Sequence, residues 1–115
     1  MSGANEFVLS NYLEAEMSLD HVRPWIEKHG QAVADGDMNR ALADFTAAGK
    51  AVAPPVVAKL PQPVNSAEVL QLTQEGEQYV AHIRYAGGGP SLTVRSTWKL
   101  EGDRPLIVHV EAVDA

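Results

Sequence analysis

Apolar and polar residues follow two different rhythms along this chain. Residues 5–46 place their apolar side chains at helical spacing, and the chain reads as extended from Ala51 onward. Phe7, Val8, Leu9, Tyr12, Leu13 and Met17 fit a short amphipathic helix or an ordered arm over residues 1–17. Ser18 or Asp20 can cap the next helix, with Pro24 in its first turn, where a missing N–H costs least. Val22, Trp25, Ile26, His29 and Val33 then share one face. Gly36 can end that helix. Asp37 can cap another, in which Met38, Ala41, Leu42 and Phe45 repeat the pattern.

The second half reads as strands. "AVAPPVVAKLPQPVN" is rich in proline, which belongs on edges and turns, so it predicts a short irregular edge strand and a loop. "AEVLQLTQEGEQYVAHIRYAG" predicts a hairpin turning at Gly76. Its first arm, residues 67–74, also fits a short helix behind Ser66; strand is preferred because the turn follows so soon. "SLTVRSTWKLEGDRPLIVHVEAV" predicts a second hairpin turning at "EGDRP", and "GGGP" a flexible link between the two. In its last strand Leu106, Val108, Val110 and Ala112 form the expected core face, with His109 and Glu111 opposite. The expected fold class is α+β, with two or three N-terminal helices packed on one face of a curved antiparallel sheet. One domain covers residues 18–115. The other face of the sheet then needs water or a second subunit.

Composition narrows the function classes. A chain of 115 residues can bury a core without a covalent staple. It has no cysteine, which excludes disulfides, thiolate zinc sites and a cysteine nucleophile. A hydrophobic content of 45% excludes a disordered chain. The net charge of -6 and the scattered bases argue against nucleic acid as a partner. No apolar run approaches the roughly 20 residues of a membrane helix, and no Lys or Arg precedes Arg23, so no signal-peptide pattern opens the chain. The expectation is a cytoplasmic protein with no membrane partner.

The stretch "AVADGDMNRALADFTAAGKAVAP" resembles the opening of the NTF2-like superfamily, and "TWKLEGDRPLIVHVEAV" resembles its closing hairpin. That group includes ketosteroid isomerases and SnoaL-like polyketide cyclases. The resemblance covers residues 20–113 and rests on a pattern, with no single diagnostic motif. It implies a cone in which a bent sheet wraps helices around an apolar pocket, often as a homodimer through the sheet. The family's third helix is expected to be missing, because a short proline-rich segment, residues 55–65, stands in its place. Isomerase-like members carry a carboxylate base beside a proline on the first strand; the matching pair here is Ala53 and Pro54, so the base is absent. The acids usual in the preceding turn are replaced by Ala47, Ala48 and Gly49. His29 stands where those members place an oxyanion-donating tyrosine, and Thr93 where they place a protonated aspartate.

The candidate chemistry is therefore carried by histidines. His29 shares the apolar helix face with Trp25 and Val33, and a lone histidine on such a face is more often a core side chain than a catalyst. His82 shares a strand face with Arg84, close to Arg95, Thr93 and Thr97; a structural charge pair is the simpler reading. His109 and Glu111 read as solvent or interface residues before they read as an acid/base pair. His21 and His29 lie two helical turns apart, about 12 Å, too far to share an ion. No metal and no cofactor are expected. Trp25, His29, Phe45, Thr93 and Trp98 are the candidate ligand contacts, and His29, His82 and His109 the candidates for catalysis. The expected function is a non-catalytic, homodimeric domain that binds a small apolar ligand or a protein partner. The alternative is an isomerase, cyclase or lyase that moves protons with pocket histidines. Direction discriminates them: an enzyme needs His29, Thr93 and His82 or His109 to converge on one cavity.

Overall fold

A computed structural model describes the backbone of residues 3–113 and the side chains from Leu19 onward. The first helix, α1 (Gly3–Ala34), is continuous, with Pro24 inside it. No helix therefore starts at Ser18 or Asp20, and their capping roles go unused. The carbonyl that Pro24 cannot satisfy is that of Asp20, an exposed residue that water can reach. Whether residues 1–17 present an amphipathic face lies outside the described side chains. Val22, Ile26, His29 and Val33 are buried, as their spacing predicts, while Trp25 is half-buried. Gly36 ends the helix at φ +76, a conformation that glycine adopts without strain. The Asp37 carboxylate then accepts from the Arg40 N–H at 3.1 Å and starts α2 (Met38–Leu42).

The expected edge strand after residue 51 does not form; short helices stand in its place. The segment continues as α3 (Ala47–Val52) and α4 (Pro54–Val57). Two local signals explain the difference. Thr46 Oγ1 accepts from the Gly49 N–H at 3.1 Å, an N-cap on an alanine-rich turn. Pro54 sits at the first position of α4, where its missing N–H has no helical partner to lose.

The sheet is antiparallel, open and curved, in the order β1 (Val64–Glu75), β2 (Gln78–Gly87), β3 (Gly89–Glu101) and β4 (Arg104–Val113). Both expected hairpins are present, turning at Gly76 (φ +64) and Gly102 (φ +67), and residues 67–74 are strand. "GGGP" is a tight crossing, not a loose link. Gly88 N–H donates to the Pro63 carbonyl at 2.9 Å, and the Gln62 N–H donates to the Gly88 carbonyl at 3.2 Å. A Cβ on Gly87 would lie 1.9 Å from the Pro63 oxygen, so only glycine fits there.

The helices cover one face. Ala81, Ile83, Trp98 and Ile107 from the strands meet Val22 and Ile26 from α1, and none of these is more than 1% exposed. Each such large side chain contributes roughly 1.5–3 kcal/mol by leaving water. The core face of β4 departs from the expected Leu106, Val108, Val110 and Ala112. A bulge opposite Thr97 and Trp98 inserts one residue into β4, because Thr97 pairs with His109 and Trp98 with Ile107. Pro105 and Ile107 therefore turn inward and are buried, whereas Leu106 and Val108 are only half-buried. Beyond the bulge, Val110 is buried and His109 and Glu111 are exposed, as alternation requires.

Candidate functional site

The site begins with a backbone clip. Ile107 N–H donates to the Asp44 carbonyl at 2.7 Å, and Thr46 N–H donates to the Ile107 carbonyl at 2.9 Å. Residues 44–46 thus lie along the free edge of β4 as a one-step parallel bridge centred on Phe45. The clip places the Asp44 side chain between α1 and β4, with 0% exposure.

A buried carboxylate needs donors, and Asp44 has three. His29 Nδ1 lies 2.9 Å from Oδ2; Arg40 Nη1 donates to Oδ1 at 2.7 Å, and Arg104 Nη2 donates to the same oxygen. Burial alone would push the Asp44 carboxyl up. The hydrogen bonds and charges of His29 and Arg40 outweigh it and hold the group below the ordinary carboxylate value. Arg104 also stacks over Trp25, 5.0 Å from the ring centre, which ties β4 to α1.

His29 is 5% exposed. Its ring is held edge-on by Phe45 (5.7 Å between centres) and Trp98 (5.5 Å). Beyond it lies a cavity of about 50 Å³. Among the described residues the lining is aliphatic or thioether apart from Phe45, His29 and Tyr85, and the last two bring its ring-nitrogen and hydroxyl groups. Burial pushes the Tyr85 hydroxyl well above its ordinary pKa, which keeps it a neutral phenol. Among the described residues the His29 ring makes one side-chain hydrogen bond, through Nδ1, and the Tyr85 hydroxyl makes none. Val33, Met38, Val57 and Leu60 line both this cavity and an outer groove of about 400 Å³ that runs along Gly36 and the 61–64 segment. Met38 is exposed at the junction.

The candidate residues separate into two groups. His29 and Phe45 line the cavity, and Trp98 backs His29 without lining it. Trp25 packs against Arg104 and lies outside the cavity. Ala53 lines it, though from the junction of α3 and α4 rather than from a strand. Thr93, His82 and His109 are on the opposite face of the sheet. His82 pairs with Arg95, Arg84 with Thr93, and Thr97 with His109 in the strand register. The strand histidines therefore do not converge with His29. His82, but not His109, borders a shallow polar depression with Gln71, Thr73, Glu75, Arg95 and Glu111, in which Arg95 meets Glu111 at 3.2 Å. His82 Nδ1 is buried there without a partner.

Asp44, Arg40, Arg104 and Tyr85 were not singled out from the sequence. One signal pointed to Asp44: it is an acid lodged between Ala41 and Phe45 on an apolar stripe, four residues after an arginine. Among the described residues no group of three or more His, Asp or Glu side chains is placed to hold a metal ion, and no helix is long and apolar enough to cross a membrane. No family model, no curated protein and no solved structure matches this chain.

Proposed function

We propose that this chain is a non-catalytic, NTF2-like domain that binds a small, mainly apolar molecule between its helices and sheet, and that it forms a homodimer through the bare face of the sheet. One observation carries the ligand reading: an otherwise apolar cavity is lined by two polar side chains, His29 and Tyr85. Ligand sites have this make-up, an apolar lining with a few placed polar atoms. The cavity alone is small for a ligand, since such sites run to roughly 300–1,000 Å³. The outer groove, sharing four lining residues with it, supplies the missing volume.

Native mass spectrometry under gentle conditions tests both parts. The expected result is a dimer carrying a discrete added mass, lost in Val57→Phe, which fills the junction of cavity and groove. A protein that stays free of adducts and binds no member of a small-molecule library would sink the ligand reading.

A second reading, a proton-transferring isomerase, cyclase or lyase, is favoured by the His29–Asp44 pair, because a carboxylate that fixes an imidazole is the arrangement of a general base. Against it stand the missing carboxylate at Ala53 and the placement of His82, His109 and Thr93 across the sheet. Turnover of any bound compound that is lost in His29→Ala, with binding retained, would favour the enzyme.

A further inference from the structure

His29 has two ring nitrogens, and the protein uses one. An ionised Asp44 can only accept, so Nδ1 of the His29 ring carries a proton, and in the neutral tautomer Nε2 carries none. Nε2 is then a hydrogen-bond acceptor with nothing donating to it among the described residues. The ring cannot swing out to water, because Phe45 and Trp98 clamp it on two sides. The Tyr85 hydroxyl, 3% exposed with its residue, offers a donor to the same cavity.

Charge is as informative as polarity. The cations near the cavity, Arg40 and Arg104, are both turned onto Asp44. Among the described residues, no Lys, Arg, Asp or Glu lines the cavity itself. A carboxylate or phosphate entering it would be buried with no counter-charge, and an ammonium would find Asp44 already holding three donors. The occupant's head must be neutral. It must donate to Nε2, and it gains by accepting from Tyr85. A hydroxyl does both. A cavity of about 50 Å³ suits such a head, and the adjoining groove of about 400 Å³, lined by Val33, Met38, Val57 and Leu60 beside Asp35 and Gln62, takes a body whose apolar side faces those four.

Resting on the ligand-binding function proposed above, we infer that the ligand is a neutral, largely apolar alcohol or phenol whose hydroxyl donates to His29 Nε2 while its body lies in the groove between the end of α1 and the 61–64 segment. The inference is tested with four probes of similar size: phenol, which donates and accepts; anisole, which only accepts; fluorobenzene, which does neither strongly; and benzoate, which is charged. Each is titrated into the full chain and followed by backbone and histidine-ring nitrogen NMR. Phenol should bind about tenfold more tightly than anisole or fluorobenzene, because only phenol donates to Nε2. It should also shift the Nε2 resonance in the direction of an accepted hydrogen bond, and benzoate should not bind. Tyr85→Phe should weaken phenol a few-fold and leave fluorobenzene unchanged; it serves as the working variant should His29→Leu not fold. Equal affinities for phenol, anisole and fluorobenzene, or preferential binding of benzoate, would overturn the inference and leave a ligand-binding cavity standing. Failure of all four to perturb the cavity residues would overturn both.

Discussion

Ile107 donates its N–H to the Asp44 carbonyl at 2.7 Å, across an interval of the chain that contains two of the short helices and most of the sheet. The same aspartate then gathers His29, Arg40 and Arg104 on its carboxylate. Asp44 is thus held by its backbone to β4 and by its side chain to α1, α2 and the start of β4.

Replacing that carboxylate should weaken the fold. In Asp44→Asn the side-chain amide must face either the His29 N–H or the two guanidiniums, so a donor meets a donor. The cost should be about 2–3 kcal/mol, at the low end for a buried ion pair because the arginine side chains are 35% and 36% exposed. Urea denaturation of both proteins at neutral pH measures it.

The same group predicts an acid limb. Asp44 is held below its ordinary value of 3.8 in the fold, so as pH falls the unfolded chain takes up the proton first. The stability it contributes is present above that value and is lost as pH drops below it. Stability measured from pH 6 down to 2 should fall less steeply in Asp44→Asn than in the parent.

Glycine positions should divide sharply. A Cβ on Gly49 would lie 2.3 Å from the Ile107 carbonyl oxygen, the atom that Thr46 uses to hold the clip. Gly49→Ala must push that carbonyl away and should cost 2 kcal/mol or more, on the order of an overpacked core. At Gly76 the space is open, and only the positive φ is at stake. Gly76→Ala should cost about 1 kcal/mol. Thermal melts of the two variants should differ accordingly.

The two tryptophans should report different surroundings. Trp98 is 0% exposed, with its indole N–H donating to Ser96 Oγ at 2.9 Å, whereas Trp25 is half-buried under Arg104. Acrylamide should quench one emission component of the native protein and spare the other. Trp98→Phe should remove the protected component. Because Trp98 touches the His29 ring, a ligand bound at Nε2 should change that component and not the one from Trp25.

On the bare face of the sheet the Arg95–Glu111 pair is 41% and 48% exposed, and Glu111→Ala should change stability by less than 1 kcal/mol. A homodimer through this face makes a different demand on Thr97, half-buried between His82's strand and His109. Thr97→Glu should dissociate such a dimer at unchanged secondary structure. Sedimentation of the two variants separates a solvated face from an interface.

The fold's strand half was readable because its signals are local. Gly76 and the "EGDRP" turn mark hairpins within a few residues, and β-branched alternation marks their arms. The helical half was less so. Pro54 reads as a breaker when helix and strand are weighed by composition, yet it starts a turn because Thr46 had already capped α3 just upstream. The bulge in β4 left no mark in "PLIVHVEAV"; it adjoins Ile107, whose backbone is bonded to Asp44 and Thr46, residues far away in sequence. His29 was legible as a polar side chain on an apolar face. Its partner was not, because nothing local announces which carboxylate will meet it. The direction of His82 and His109 followed from strand parity alone.

Every strand of this sheet pairs with its immediate neighbour in the chain. The meander can therefore form with short loop closures, which are fast. The 44–107 clip encloses a far longer loop, whose closure entropy must be met before its bonds repay it. That orders the events: hairpins early, helices docking and clip closing late. Contacts absent from the transition state affect unfolding rather than folding. In a denaturant chevron, Asp44→Asn should steepen nothing and leave the refolding arm in place while raising the unfolding arm. The clip then sets how long the native protein persists rather than how quickly it is reached.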